Sequence, residues 1–206
     1  VLRYLDPEHG AGGYVSKGRL EAFSDGVIAI LITIMVLELR PPEGIDAAAL
    51  MHMKSELTAY VLSFVLLGIY WNNHHMLLGA MRRVNGAVLW ANLHLLFWLS
   101  LVPFATAWMG RNPTAPFPIA TYGVVLFLNA VAYTILQTTI IAADGHGSRI
   151  AEAVGHDTKG RISLACYALA IGLAFTHHVW SYALFIFVAL VWLVPDRRIG
   201  ARMKAD

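Results

Sequence analysis

The chain has 206 residues, of which 58% are hydrophobic and 14% charged, against roughly 25% charged in ordinary soluble domains. Mean hydropathy is +0.60, which excludes a disordered chain, a nucleic-acid-binding tail and an ordinary soluble enzyme domain, and indicates an all-α, multi-pass membrane protein. The formal net charge of +2 is too small to point to a partner, and the lone cysteine, Cys166, excludes an intrachain disulfide framework and a multi-cysteine zinc site.

A membrane span needs roughly 20 predominantly apolar residues. The first such run, about 23–39 within a helix expected over about 17–39, is interrupted only by Asp25 near its start and Glu38 near its end. It follows about twenty mixed residues and has no small-x-small pattern, so no cleavable leader is expected. Pro41-Pro42-Glu43-Gly44 breaks the chain after it, and residues 45–55 suit a short interfacial helix. Three further helices are predicted at about 57–79, 84–109 and 117–143, each inside a stretch without Asp, Glu, Lys or Arg. Pro113, Pro116 and Pro118 mark the start of the third of these, and a polar loop over 144–160 follows it.

The charge-free stretch 162–195 is too long for one span: as a single helix it would extend about 51 Å, against a hydrocarbon core of about 30 Å. Its polar midpoint, Thr176-His177-His178, predicts two short helices at about 162–177 and 179–195, joined by a tight turn. The expected architecture is one domain over residues 1–206 with six spans. If both termini lie inside, only Arg40, Lys54 and Arg111 of the fifteen Lys and Arg residues face out, the asymmetry that the positive-inside rule requires.

An ionisable residue within a span is a functional candidate by default. With Ile30 at 0° and 100° per residue, Gly26, Thr33, Ile34 and Leu37 all fall within about 60° of it, and Asp25 falls about 140° away. Asp25 therefore faces neighbouring helices and needs a polar partner there. Arg19, Asn73, His74 and His75 are the candidates. The stripe around Ile30 suits either a pore lining or an ordinary lipid or helix contact.

The run Arg19-x-x-x-Phe23-Ser24-Asp25, with the Gly26-Val27-x-Ala29-Ile30-x-x-Thr33 stretch after it, resembles the transmembrane protein 175 family. So do Tyr70-Trp71-Asn72-Asn73-His74-His75, Ala91-Asn92-Leu93 and Leu101-Val102-Pro103-Phe104. The resemblance implies a passive, potassium-permeable cation channel of the prokaryotic cell membrane, built from one six-helix repeat and assembled as a homotetramer. It implies that the first helix of each subunit lines the pore, with Ile30, five residues after the signature aspartate, at the narrowest point and Thr33, Ile34 and Leu37 lining beside it. It assigns Arg19, Ser24 and Asp25 to holding the inner part of that helix against its neighbours. Potassium is the implied permeant ion, with caesium a second candidate. Beyond that ion no cofactor, metal site, nucleic acid or enzymatic activity is expected.

A ring of isoleucines offers no oxygen ligands to an ion, and the Thr-Val-Gly-Tyr-Gly filter is absent, so selectivity would come from pore size or the Thr33 hydroxyls. Glu38, at about +80° on the same wheel, either reaches the outer vestibule or pairs with Arg40 or Lys54. His74 and His75 point about 100° apart and do not readily share a metal; structural hydrogen bonding is expected. Asn92 and His94 read as interhelical links and His177-His178 as interfacial. Asp144, His146, His156 and Asp157 read as a solvated loop rather than a metal site. The competing function is a proton-coupled transporter that uses Asp25 and the intramembrane histidines.

Overall fold

The computed structural model describes residues 16–145, 148, 151 and 157–193, and among these it contains helices and no strands. The helices are α1 (Lys17–Ile34), α2 (Ala47–His52), α3 (Lys54–Ala80), α4 (Gly86–Ser100), α5 (Val102–Arg111), α6 (Pro116–Asp144), α7 (Thr158–Leu173) and α8 (His178–Leu193). Among the described residues, three helical segments are long and apolar enough to cross a membrane: Lys17–Glu38, Gly86–Arg111 and Pro116–Asp144. Helix α3 adds 27 residues, and α7 and α8 are 16 residues each, about 24 Å at 1.5 Å per residue.

Local chemistry sets the ends. Asp46, Asn85 and Asp157 each accept a hydrogen bond at 2.9 Å from the backbone N–H three residues on, which satisfies one of the donors that a helix N-terminus leaves open. Pro116 opens α6, where a missing N–H costs nothing. Gly145 closes it at φ 98°, a conformation that favours glycine, with its N–H on the Ile141 carbonyl. The run expected as one helix over 84–109 is divided at Leu101, between α4 and α5. Pro103, in the first turn of α5, cannot donate to the carbonyl four residues back. The apolar stretch after residue 157 is also divided, by a turn over 174–177 in which the N–H groups of Thr176 and His177 both reach the Leu173 carbonyl.

Helix α6 forms the spine of the bundle, packed against α4, α5, α7 and α8, while α3 packs against α1, α5 and α8. Tyr122 and Phe185, both fully buried, meet edge to face at 5.1 Å. Beside them Thr106 donates to Ser63 at 2.7 Å, and the Ser63 and Tyr122 hydroxyls lie 2.8 Å apart. This closed hydroxyl chain ties α3, α5 and α6 together and satisfies groups that hydrocarbon would strand.

Helices are tightly packed at Gly123 in α6. A Cβ there would lie 2.9 Å from Ile171 Cγ1 and 3.3 Å from the Phe185 ring. Gly123→Ala is expected to destabilise the fold by about 1–3 kcal/mol through overpacking, outweighing the roughly 1 kcal/mol that alanine contributes to helix propensity. Thermal unfolding of the detergent-solubilised protein reads the sign; a stabilised variant would refute the close packing.

Candidate functional site

Helix α1 is the least enclosed of the long helices and packs mainly on α3 and α4. Its buried residues, Leu20, Ser24, Ile28 and Leu31, followed by Met35, form a single stripe at spacings of three and four. On the opposite side Phe23 is 52% exposed, Ile30 56% and Leu37 76%. Gly26, Thr33 and Ile34 are exposed as well. The sequence-derived stripe is thus the face of α1 that its own chain leaves uncovered. Both faces are apolar, so hydropathy alone does not tell them apart.

The Thr33 hydroxyl lies 3.1 Å from the Ala29 carbonyl and 2.9 Å from that of Ile30. Its proton is engaged with its own helix, which leaves Oγ1 free to present a lone pair outward. Beyond Ile34 the helix tightens into a 3₁₀ turn over Met35–Glu38. At about 120° per residue, this turn carries Glu38 to about 160° from Ile30, rather than the +80° of a regular α-helix. Leu37 stays on the exposed side. Glu38 accordingly pairs with Arg111 of α5 at 3.3 Å, and not with Arg40 or Lys54.

The N-terminal half of α1 is held by two separate side-chain networks, besides the hydrogen bond from the Lys17 ammonium to the Gly79 carbonyl of α3. In the first, Ser24 donates to the Leu20 carbonyl at 2.9 Å and accepts from Asn92 Nδ2 at 2.9 Å, and Asn92 Oδ1 lies 2.7 Å from His74 Nε2. This chain links α1, α4 and α3 and is buried throughout, with Ser24 and Asn92 at 0% exposure and His74 at 1%. In the second, Trp71 Nε1 donates to Asp25 Oδ1 at 3.0 Å, and the His75 ring stacks on Trp71 at 5.8 Å.

The candidate residues therefore separate. The partner of Asp25 is Trp71, not Arg19, Asn73, His74 or His75; Trp71 reads in sequence as a packing aromatic, and only its indole donor could have marked it. Arg19 is exposed on the α1 side that carries Ile30, with no polar partner among the described residues. Asn73 is buried but bonds within its own helix, to the Ile69 carbonyl at 2.8 Å. Asn92 makes the interhelical link, whereas His94 accepts from Trp98 of the same helix at 2.9 Å. In the polar loop Asp144 accepts from the backbone N–H groups of Arg82 and Arg83, and Asp157 caps α7. His146 and His156 lie outside the described residues.

Apolar spans tied together by buried side-chain hydrogen bonds define an all-helical integral membrane protein. The profile described as endosomal/lysosomal potassium channel TMEM175 matches residues 19–103. A protein named potassium channel from Chryseobacterium sp. (strain P1-3) is 50% identical over 93% of this chain and 100% of its own length. Another of that name, from Streptomyces collinus, is 32% identical over 90% of this chain and 98% of its own. The crystal structure of a lysosomal potassium-selective channel TMEM175 homolog from Chamaesiphon minutus superposes with a TM-score of 0.75 at 26% identity, covering 87% of this chain and 97% of that one. The chain belongs to the TMEM175 family.

Proposed function

We propose that this protein is a potassium-permeable channel of a prokaryotic cell membrane. Four copies surround one passive pathway lined by α1. The observation that carries this reading is the uncovered α1 stripe, opposite a stripe that is fully packed. One such helix cannot enclose a water path, so a pore requires further copies, and closed cyclic symmetry is the usual arrangement. The names of the bacterial relatives support potassium as the permeant ion. Six passes with both termini inside fit the distribution of basic residues, and membrane lipid surrounds the assembly.

In this reading Ile30 forms the narrowest ring, with Thr33, Ile34 and Leu37 lining beside it. The isoleucines gate by excluding water. The Thr33 oxygens supply the nearest side-chain ligands to an ion that has crossed the ring. Ser24, Asp25, Asn92, His74 and Trp71 fix the angle at which α1 presents that stripe. Glu38, tied to Arg111, contributes to the outer rim rather than to the conducting path.

A proton-coupled transporter is the competing reading, and the hydrogen-bond chemistry argues against it. Asp25 bonds to an indole N–H, which donates but does not accept, and His74 bonds to an amide. Neither partner relays a proton in the way a carboxylate, imidazole or water does.

The test is flux from liposomes that contain the purified protein, under potassium, caesium and sodium gradients in turn. Potassium flux above sodium flux, with caesium also permeant and no pH gradient needed, is the expected result. Flux that appears only with an imposed pH gradient would overturn the passive reading.

A further inference from the structure

A groove of about 730 Å³ runs between the N-terminal half of α3 and α8, and none of its lining residues belongs to α1. Its walls are apolar: Leu57, Val61 and Val65 on one side, Ile186, Leu190 and Leu193 on the other. Val61 is 57% exposed and Leu190 59%, so the chain itself leaves these walls uncovered.

The two helices run in the same direction. At their start they are joined through α5 and the turn after it. Tyr182 donates to the Pro113 carbonyl at 3.0 Å, and a Cβ at Gly110 would lie 3.0 Å from Glu56 Cα. Further along, Trp192 meets Leu66, Ile69 and Tyr70 around a separate small cavity. From Lys54 to Val65, and from Tyr182 to Leu193, the helices advance about 16 Å. One leaflet of hydrocarbon is about 15 Å deep, half of a core of about 30 Å. The groove therefore has the length of one leaflet, from the membrane surface to its midplane.

The surface end is cationic. Lys54 and Ser55 line the groove there, and Lys54 is exposed. The Lys54 ammonium has no ion-pair or hydrogen-bond partner among the described residues, whereas Arg111 is paired with Glu38. No Asp or Glu lines the groove among the described residues. Glu56, two residues on, lines a different cavity with Tyr60 and Arg111. Thr58 spends its proton on the Lys54 carbonyl at 2.7 Å, which leaves the Ser55 hydroxyl as the side-chain donor beside the ammonium.

We propose that this groove binds one phospholipid of net negative charge per chain. One acyl chain lies between α3 and α8, and the phosphate meets the Lys54 ammonium and the Ser55 hydroxyl. The apolar walls accept any hydrocarbon tail, so the headgroup decides which lipid is held. A zwitterionic headgroup carries its own ammonium next to the phosphate, and that ammonium competes with Lys54. An anionic headgroup has no such competitor, and one basic residue near the membrane surface favours it by about fivefold. The claim needs only that the chain spans a membrane, and it stands apart from the proposed pore.

The test is native mass spectrometry of the purified, delipidated chain in detergent, titrated with dioleoyl phosphatidylglycerol and, separately, with dioleoyl phosphatidylcholine. Phosphatidylglycerol is expected to saturate at one lipid per chain and to bind at least about fivefold tighter than phosphatidylcholine. Lys54→Gln should reduce phosphatidylglycerol to the affinity of phosphatidylcholine and leave the latter unchanged. Leu190→Trp, which fills the groove, should weaken both lipids while the assembly stays intact on gel filtration. Ile30→Asn should bind both as the parent does, whatever it does to flux. Equal affinities in the parent, or phosphatidylglycerol binding unmoved by Lys54→Gln, would overturn the proposal. So would a Leu190→Trp protein that folds but no longer assembles, because a second copy of the chain would then be what covers the groove.

Discussion

Ile30→Asn is expected to raise passive potassium flux on the order of tenfold and to bring the potassium-to-sodium ratio toward unity. A hydrophobic ring resists an ion because water leaves it readily, and the ion must then shed its hydration with nothing to replace it. In the proposed tetramer, four amide side chains would keep water in the constriction, and a barrier lowered by about 1.4 kcal/mol is already a tenfold change in rate. The change should leave each subunit folded, since Ile30 is 56% exposed and lies outside the chain's core. Ile28→Asn, two residues away, is the contrasting case. Ile28 is 0% exposed, so an amide there is buried without a designed partner and should prevent folding or cost about 2 kcal/mol or more. Liposome flux normalised to incorporated protein, with gel filtration for integrity, separates the two. Unchanged flux in a well-folded Ile30→Asn protein would remove Ile30 from the constriction.

The contrast between Ile28 and Ile30 also shows what a sequence of this kind reveals. Both are isoleucines in an apolar helix, and composition does not rank them. The wheel groups Ile30 with Gly26, Thr33, Ile34 and Leu37, and those are the positions the chain leaves uncovered. Periodicity could identify the stripe because α1 is regular as far as Ile34. It failed for Glu38, because the 3₁₀ turn after Ile34 rotates the last residues and no proline or glycine announces it. The division of the stretch after residue 157 was legible, because a polar midpoint in a run longer than the membrane is thick admits few alternatives. The division at Leu101 was not, because Pro103 is tolerated in a first helical turn and gives no sign of whether a helix ends just before it. The partner of Asp25 was missed for a different reason. Guanidinium, amide and imidazole groups are the evident partners for a carboxylate, whereas the group that fits is an indole N–H, a donor carried on a residue that reads as hydrophobic. Asn92 and His74 were recognised as polar residues in spans, but only packing reveals that they meet each other and Ser24.

That meeting is the basis of the second large effect. Asn92→Leu exchanges side chains of similar volume and removes both interhelical hydrogen bonds of the buried chain: its donation to Ser24 and its acceptance at the His74 ring. Ser24 keeps its bond to the Leu20 carbonyl. His74 keeps nothing, because Nδ1 already lacks a partner and Nε2 loses its own. Side-chain hydrogen bonds between membrane helices average only about 0.6 kcal/mol, since the separated helices find other partners. A buried group left unsatisfied costs about 1–3 kcal/mol. The second figure governs here, because His74 is 1% exposed and walled in by α3 and α4, so a loss near 2 kcal/mol is expected. The loss should fall on the seat of α1 and therefore alter basal flux as well as stability. Asn73→Leu is the matched control: Asn73 is 6% exposed, but its amide donates only within α3, so its removal should cost under about 1 kcal/mol and leave α1 in place. Thermal unfolding and potassium flux measured on both variants decide the matter. Equal destabilisation, or unchanged flux in Asn92→Leu, would show that the Ser24–Asn92–His74 chain does not hold the helix that carries Ile30.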